Sequence, residues 1–282
     1  MSYNTITIFG GRGMLGSDLG AYAGERGIAV KVYDLPEFDI ADEAQIENVV
    51  SQSKVVVNCA AYTNVEKAES EISLANQVNG YAVGRLGRIA KECKVPVLHI
   101  STDFVFDGNG RRPYEETDTT NPVSVYGSSK LLGEKLLAES GCAWCVVRVQ
   151  WTYGKNGTNF ITKILDAAKT RDELCVVDDQ VGSPTHTVEV AKVLCDMLTM
   201  DFFPIGLYHC AASGSTSRYE MTRYLFDRLG IETPVVPCKT ADFKTAAKRP
   251  LNSRFGCSKL HSLLGRTMPT WQEMLNHYLE TL

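Results

Sequence analysis

Several features that would commit the chain to a class are missing. No apolar run approaches the roughly 20 residues that cross a bilayer, so no membrane partner is expected. The opening MSYNTITIFGG is too short, and too soon broken by glycine, for a secretory leader, and the chain reads as cytoplasmic. There is no excess of positive charge. The 29 Lys and Arg stand against 33 Asp and Glu, scattered rather than clustered, for a formal net charge of −4, which excludes a nucleic-acid surface. Only five histidines occur, none at HxxxH or HxH spacing, so no catalytic metal is expected. The nine cysteines are odd in number, and the one CxxC, Cys142 to Cys145, enters the apolar run CAWCVVRV with no second pair to complete a zinc site. Buried, reduced thiols are the expectation.

What is present is a strand–helix alternation. TITIFG, AVKVYD, KVVVNCAA, VPVLHIS and AWCVVRV read as strands, with helical patterns between them. One long helical stretch is expected from about Lys67 to Cys93, with Ile72, Ala75, Ala82, Leu86 and Ile89 as its apolar stripe. Near-continuous apolar strands alternating with helices predict an α/β fold, a doubly wound parallel sheet of Rossmann type. Residues 1–150 are expected to bind a dinucleotide. Residues 151–282, with helices near 159–170, 187–200 and 217–229 and strands LCVV and GLYHC, should complete the sheet and form a smaller C-terminal substrate lobe.

Where the first strand passes into the first helix stands FGGRGMLGSDL. Gly11, Gly13 and Gly16 fit GxGxxG, and Gly10, Gly13 and Gly16 fit GxxGxxG. Either register gives a tight turn, close approach of backbone to a pyrophosphate, and a helix N-terminus aimed at the phosphates. Asp34, at the end of the second strand, would favour the free ribose hydroxyl of NADH, whereas Arg12 would attract the 2′-phosphate of NADPH. Both cofactors stay open.

In VYGSSKLLGEK, Tyr126 and Lys130 stand at i and i+4 and share a helix face. A phenol is a poor proton relay near neutrality, and a nearby ammonium favours its phenolate. The preceding strand ends in HISTDFVFDG, placing Thr102 and Asp103 where open α/β sheets bind ligands.

Together GGRGMLG, VVNCAAYTNVEKAE, HISTDFVFDG, YGSSKLLGE, RVQWTYG, DDQVGSPT and KRPLNS, in this order, resemble the dTDP-4-dehydrorhamnose reductase family of extended short-chain dehydrogenases. The resemblance implies that Tyr126 is the proton donor, that Lys130 holds the nicotinamide ribose and lowers the tyrosine pKa, and that Thr102 replaces the superfamily's usual serine. It implies a pyrophosphate cradle of Gly10, Gly11, Arg12, Gly13, Met14 and Leu15. Asp39 and Ile40 would lie near the adenine, and Ala60, Ala61 and Tyr62 would line the cofactor. Thr102 and Asp103 would contact substrate, and Trp151 would pack on the sugar. Asn159, Gln180 and Arg249 are candidates for the substrate's nucleotide, Arg249 for its diphosphate. Asn79 is expected in a structural network behind the site.

Departures from the family pattern are Phe104 for a tyrosine, Gln150 before the tryptophan, and Glu66 for an aspartate. The implied activity is reduction of dTDP-4-dehydro-β-L-rhamnose by NADPH or NADH. Phe104 and Gln150 keep open a different nucleotide-linked 4-keto sugar. A more distant alternative is a non-catalytic subunit like the regulatory subunit of methionine adenosyltransferase, against which the intact Thr102, Tyr126 and Lys130 argue. Monomer and homodimer are both compatible with the sequence.

Overall fold

The computed structural model describes residues 3–281. Its first half runs β1 (Thr5–Phe9), α1 (Met14–Glu25), β2 (Ala29–Tyr33), α2 (Glu43–Val50), β3 (Val56–Asn58), α3 (Val65–Ala68), α4 (Ile72–Asn76), α5 (Ala82–Cys93), β4 (Val97–Thr102), α6 (Val125–Glu139) and β5 (Trp144–Val149). The second half contains β6 (Thr152–Tyr153), α7 (Phe160–Ala168), β7 (Leu174–Val177), β8 (Val181–Gly182), β9 (Thr185–His186) and α8 (Thr187–Leu198). It ends with β10 (Gly206–Cys210), β11 (Thr216–Ser217), α9 (Arg218–Leu229), β12 (Val235–Cys238), α10 (Ser258–Leu264) and α11 (Trp271–Leu279).

Six strands form one parallel sheet in the order β10-β5-β4-β3-β1-β2. The chain leaves β1 for β2 on one side and returns to β3 on the other, so the crevice at the carboxyl ends of β1 and β3 is the topological switch point of a Rossmann-type sheet. Neighbouring residues of a strand point to opposite faces. Ile6 and Ile8 join Val57 and Leu98 in a core beneath α1 and α8, while Phe9, Val56, Val97 and Val146 join the core beneath α2 and α5. Burial on both faces is what made these strands continuous apolar runs. Beside the sheet, β7 pairs with β12, β8 with β11 and β6 with β9.

The single long helix expected from Lys67 to Cys93 is corrected. α3 ends at Ala68, the chain turns, and a π-helical turn, Gln77–Tyr81, separates α4 from α5. Of the expected stripe, Ala75, Ala82, Leu86 and Ile89 are buried, but Ile72, at the start of α4, is half exposed. The extra residue accommodated by a π-turn re-aims a side chain, here Asn79, without ending the helix. Among the described residues no helix is long and apolar enough to cross a membrane.

Candidate active site

The β1–α1 turn is shaped by close approach. Gly10 has φ +71°, and a Cβ there would lie 2.5 Å from the Ala60 nitrogen at the exit of β3. A Cβ on Gly16 would collide with the Gly10 carbonyl and lie 2.7 Å from the Gly11 Cα. The N-cap of α1, Gly13, gives no side-chain cap, so the leading amides of the helix keep their donors for an anion. The Asp34 carboxylate accepts from the Arg12 and Leu35 amides, each at 2.8 Å. The Arg12 guanidinium turns outward to the Leu35 carbonyl (2.8 Å) and to Glu37 (2.6 Å). A glycine-lined turn, free helix amides and an acidic residue at the second strand fit a dinucleotide.

At the carboxyl end of β4, the Thr102 hydroxyl donates to Asp103 (3.0 Å) and accepts from the Phe104 amide (3.2 Å). Ser253 donates to the other Asp103 oxygen at 2.5 Å. The Asp103 carboxyl is buried, which raises its pKa despite these donors. Ser124 caps α6 by accepting from the Gly127 amide at 3.2 Å, which starts the helix one residue before Tyr126. The Tyr126 ring meets Phe104 edge to face with centroids 5.4 Å apart, and Thr102 lies in hydrogen-bonding reach of its phenol.

Lys130 sits one turn further along α6, buried, and donates to the Ile100 carbonyl at 2.7 Å. Its Nζ is 3.2 Å from His99 Nε2, and His99 Nδ1 is 3.0 Å from the Asn58 amide. Burial brings Lys130 down to about 8, against the opposing pull of Glu134. Burial and the neighbouring ammonium hold His99 well below the usual histidine range, so its ring is neutral. Tyr126 behaves unlike the tuned phenol expected from the sequence. Burial pushes it up to about 12, Thr102 works in the opposite direction, and Asp103 adds to the rise.

Asn79, fully buried on the π-turn, bonds both backbone groups of Tyr62 (2.8 and 3.0 Å) and the Ser129 hydroxyl (3.0 Å). Ser129 donates in turn to the Tyr126 carbonyl at 2.8 Å. One amide thus ties the loop after β3 to the helix that carries the tyrosine.

A cavity of about 290 Å³ opens beside this set, with Phe104 and Ser253 in its wall. Trp151 stands there at φ +44°, a conformation uncommon for a residue with a side chain. Its ring lies against the backbone of Gly182, where a Cβ would come within 2.6 Å. The Arg218 guanidinium covers the ring at 3.5 Å.

The family model described as the RmlD substrate binding domain matches residues 4–282. A dTDP-4-dehydrorhamnose reductase of Aggregatibacter actinomycetemcomitans is 35% identical, over 96% of this chain and 97% of its own length. The chain belongs to the dTDP-4-dehydrorhamnose reductase family. A Bacillus subtilis protein named spore coat polysaccharide biosynthesis protein SpsK is 32% identical over 98% of this chain and 96% of its own. Among solved structures, the dTDP-4-dehydrorhamnose reductase of Clostridium acetobutylicum superposes with a TM-score of 0.93 at 34% identity, covering 98% of this chain and 99% of that one. The Bacillus anthracis reductase, solved in complex with NADP, gives 0.94 at 30% identity over the whole of both chains.

Within this dTDP-4-dehydrorhamnose reductase fold, Thr102, Asp103 and Tyr126 come together with Lys130 one turn along α6, and Gly10 closes on Ala60 while Asp34 holds the Arg12 amide; Ala61 and Tyr62 follow β3, with the Tyr62 hydroxyl donating to Glu71. Asp39 and Ile40 lie in the turn before α2, where the Asp39 side chain accepts from the Ala41 amide at 2.8 Å and Ile40 is buried. Two candidates are occupied elsewhere. Asn159 caps α7, accepting from the Ile161 and Thr162 amides (2.9 and 3.2 Å) and donating to the Gly154 carbonyl (3.0 Å), so it is turned away from the cavity. Arg249 does line the cavity, but its guanidinium is ion-paired with Glu66. Gln180 lines it too and donates to Thr240 at 3.0 Å. Sequence reasoning missed His99, Ser253 and Arg218. His99 and Ser253 carried a signal, His99 lying three residues before Thr102 on the same strand and Ser253 closing KRPLNS.

Proposed function

We propose that the protein is an NAD(P)H-dependent reductase that converts the 4-keto group of dTDP-4-dehydro-β-L-rhamnose to the alcohol of dTDP-β-L-rhamnose. The observation that carries this is the Thr102–Tyr126–Lys130 set, standing between the glycine turn of a dinucleotide crevice and a cavity large enough for part of a nucleotide sugar. Full-length similarity to proteins named for this reaction, one of them solved with NADP, supports it. In this reading residues 1–150 bind the cofactor, and residues 151–282 complete the sheet and supply the substrate lobe.

Gly10 to Leu15 and Asp34 would hold the cofactor, which would supply the hydride when bound. The protein supplies the proton and the field. A phenol with a pKa of about 12 is fully protonated near neutrality, which is the form a reduction needs. The alkoxide growing on the sugar is a stronger base than phenolate, so transfer from Tyr126 runs downhill. The Thr102 hydroxyl, which accepts from the Phe104 amide, can hold the same oxygen by turning its one proton from Asp103 toward the substrate. The buried Lys130 ammonium then stabilises the phenolate left behind, in a site where low polarity strengthens charge interactions.

The test is nicotinamide oxidation by the purified protein with enzymatically generated dTDP-4-dehydro-β-L-rhamnose, using NADH and NADPH separately. Tyr126→Phe should keep cofactor affinity and lose at least roughly 100-fold in kcat. Failure of the unaltered protein to oxidise either cofactor, or full activity in Tyr126→Phe, would sink the proposal.

A further inference from the structure

Pairing sorts the two arginines of the cavity. Arg249, the residue expected from sequence to meet a diphosphate, is neutralised by Glu66, which also accepts from the Ala246 (2.8 Å) and Ala247 (3.3 Å) amides. Arg218 has neither hydrogen bond nor ion pair to its guanidinium among the described residues. It lies instead on two rings, 3.5 Å from the centroid of Trp151 and 4.6 Å from that of Phe160. Stacking uses only the face of the guanidinium, and its five N–H donors leave in the plane. They are therefore held in place at the cavity wall with no acceptor from the described residues, open to an anion.

The nearest carboxylate acting on Arg218 belongs to Asp103, and both of its oxygens are taken, by Ser253 and Thr102. Burial brings Arg218 down to about 9, so it keeps its charge near neutrality. Its backbone is fixed at the first residue of α9 by the reciprocal capping of Ser217 and Glu220.

Position narrows the ligand. Phe104, against Tyr126, and Asp103, whose charge acts on Arg218, mark the reacting end of the cavity, while Phe160, under the same guanidinium, stands one turn before Ile164 on its apolar wall. Arg218 bridges the two. A nucleotide-linked sugar carries its charge at that point, between a sugar at the reacting end and a base at the apolar one. Resting on the reading that this cavity takes such a substrate, we infer that Arg218, not Arg249, receives the diphosphate, with the bidentate geometry a guanidinium offers phosphate oxygens.

Calorimetry on the full chain with NADPH bound tests this, using dTDP, UDP, GDP, thymidine and dTDP-β-L-rhamnose as probes. Arg218→Gln should weaken the best-binding nucleoside diphosphate by roughly 10- to 100-fold. Arg218→Lys should lose less, because it keeps the charge but not the fork. Unchanged thymidine and NADPH affinities in both variants would show that the fold and the other subsites survive.

Undiminished nucleoside diphosphate binding in Arg218→Gln overturns the inference. So does a loss confined to the complete nucleotide sugar, which would make Arg218 a reader of the sugar. Failure of the unaltered protein to bind any of the three diphosphates at millimolar concentration overturns it as well. The two proposals fail separately. Arg218-dependent diphosphate binding without turnover of dTDP-4-dehydro-β-L-rhamnose keeps the inference and removes the named reaction. Turnover with Arg218-independent binding does the reverse.

Discussion

Glu134→Gln should damage this protein in two measurable ways. Glu134 and Arg148 form a buried pair, 8% and 3% exposed, with contacts of 2.6 Å (Nη2 to Oε2) and 2.9 Å (Nε to Oε1). Ser101 donates to the same carboxylate. Around Arg148 the remaining neighbours are the Phe106 ring at 5.1 Å and His209 at 3.4 Å, neither of which can take over its charge. Removing one member of such a pair costs about 3–5 kcal/mol. Glutamine still accepts one bond, so the loss should fall near the lower end, about 6 °C or more in Tm at this chain length.

The second effect reaches catalysis. Glu134 opposes the burial that brings Lys130 down to about 8. Lys130 works as the ammonium, which prevails below its pKa and is lost as pH rises through it. Activity should therefore fall with rising pH near 8, and Glu134→Gln should move that fall to lower pH. Tyr126, up at about 12, cannot be its source. Thermal melts and kcat profiles between about pH 6 and 10 test both points. An unchanged Tm, or a high-pH limb that stays in place, would refute the reasoning. Replacing both partners, as in Glu134→Leu with Arg148→Met, should cost less than Glu134→Gln alone, because it leaves no orphaned charge.

Two further outcomes concern the cofactor crevice. In the proposed reading Asp34 and Glu37 would present two carboxylates toward a 2′-phosphate, and Arg12 is ion-paired with Glu37. Asp34→Ala should raise the ratio of kcat/KM for NADPH over NADH about tenfold, and an unmoved ratio would remove Asp34 from cofactor choice. Gly16→Ala forces a methyl group onto the Gly10 carbonyl. It should weaken NADH binding by roughly 10- to 100-fold in a fluorescence titration, and native affinity would show that the turn is looser than described.

The parallel sheet was legible because its signals are local. Strands buried on both faces are apolar at nearly every position, and the glycines of the first turn fall in one short stretch, Gly10 to Gly16. What was hidden depends on contacts between distant segments. The end of α3 at Ala68 leaves no glycine or proline to mark it, and the π-turn, though it holds Gly80, keeps the backbone bonded and the apolar stripe nearly in phase. Asn159 has the chemistry of a nucleotide ligand, yet asparagine at the start of a helix is as well suited to capping it, and the cap is what the backbone of α7 takes. The ion pair of Arg249 was hidden for a similar reason. Its partner Glu66 stands in α3, in the other half of the chain.

Lys130 shows where the boundary between the two kinds of information lies. Its spacing from Tyr126 and from Glu134 is one helical turn each way, so the phenol, the ammonium and the carboxylate along α6 were visible in the letters. The depth of its burial was not, and burial is the largest influence on its pKa. Nor was the neutral His99 beside its Nζ, supplied by β4 and itself fixed through Asn58 on β3. A lysine exposed on the same helix would remain an ammonium well above pH 8 and could not give activity a high-pH limit there. The spacing of residues in the sequence names the acid and its cation, and the packing of α6 on the sheet decides the pH at which they work.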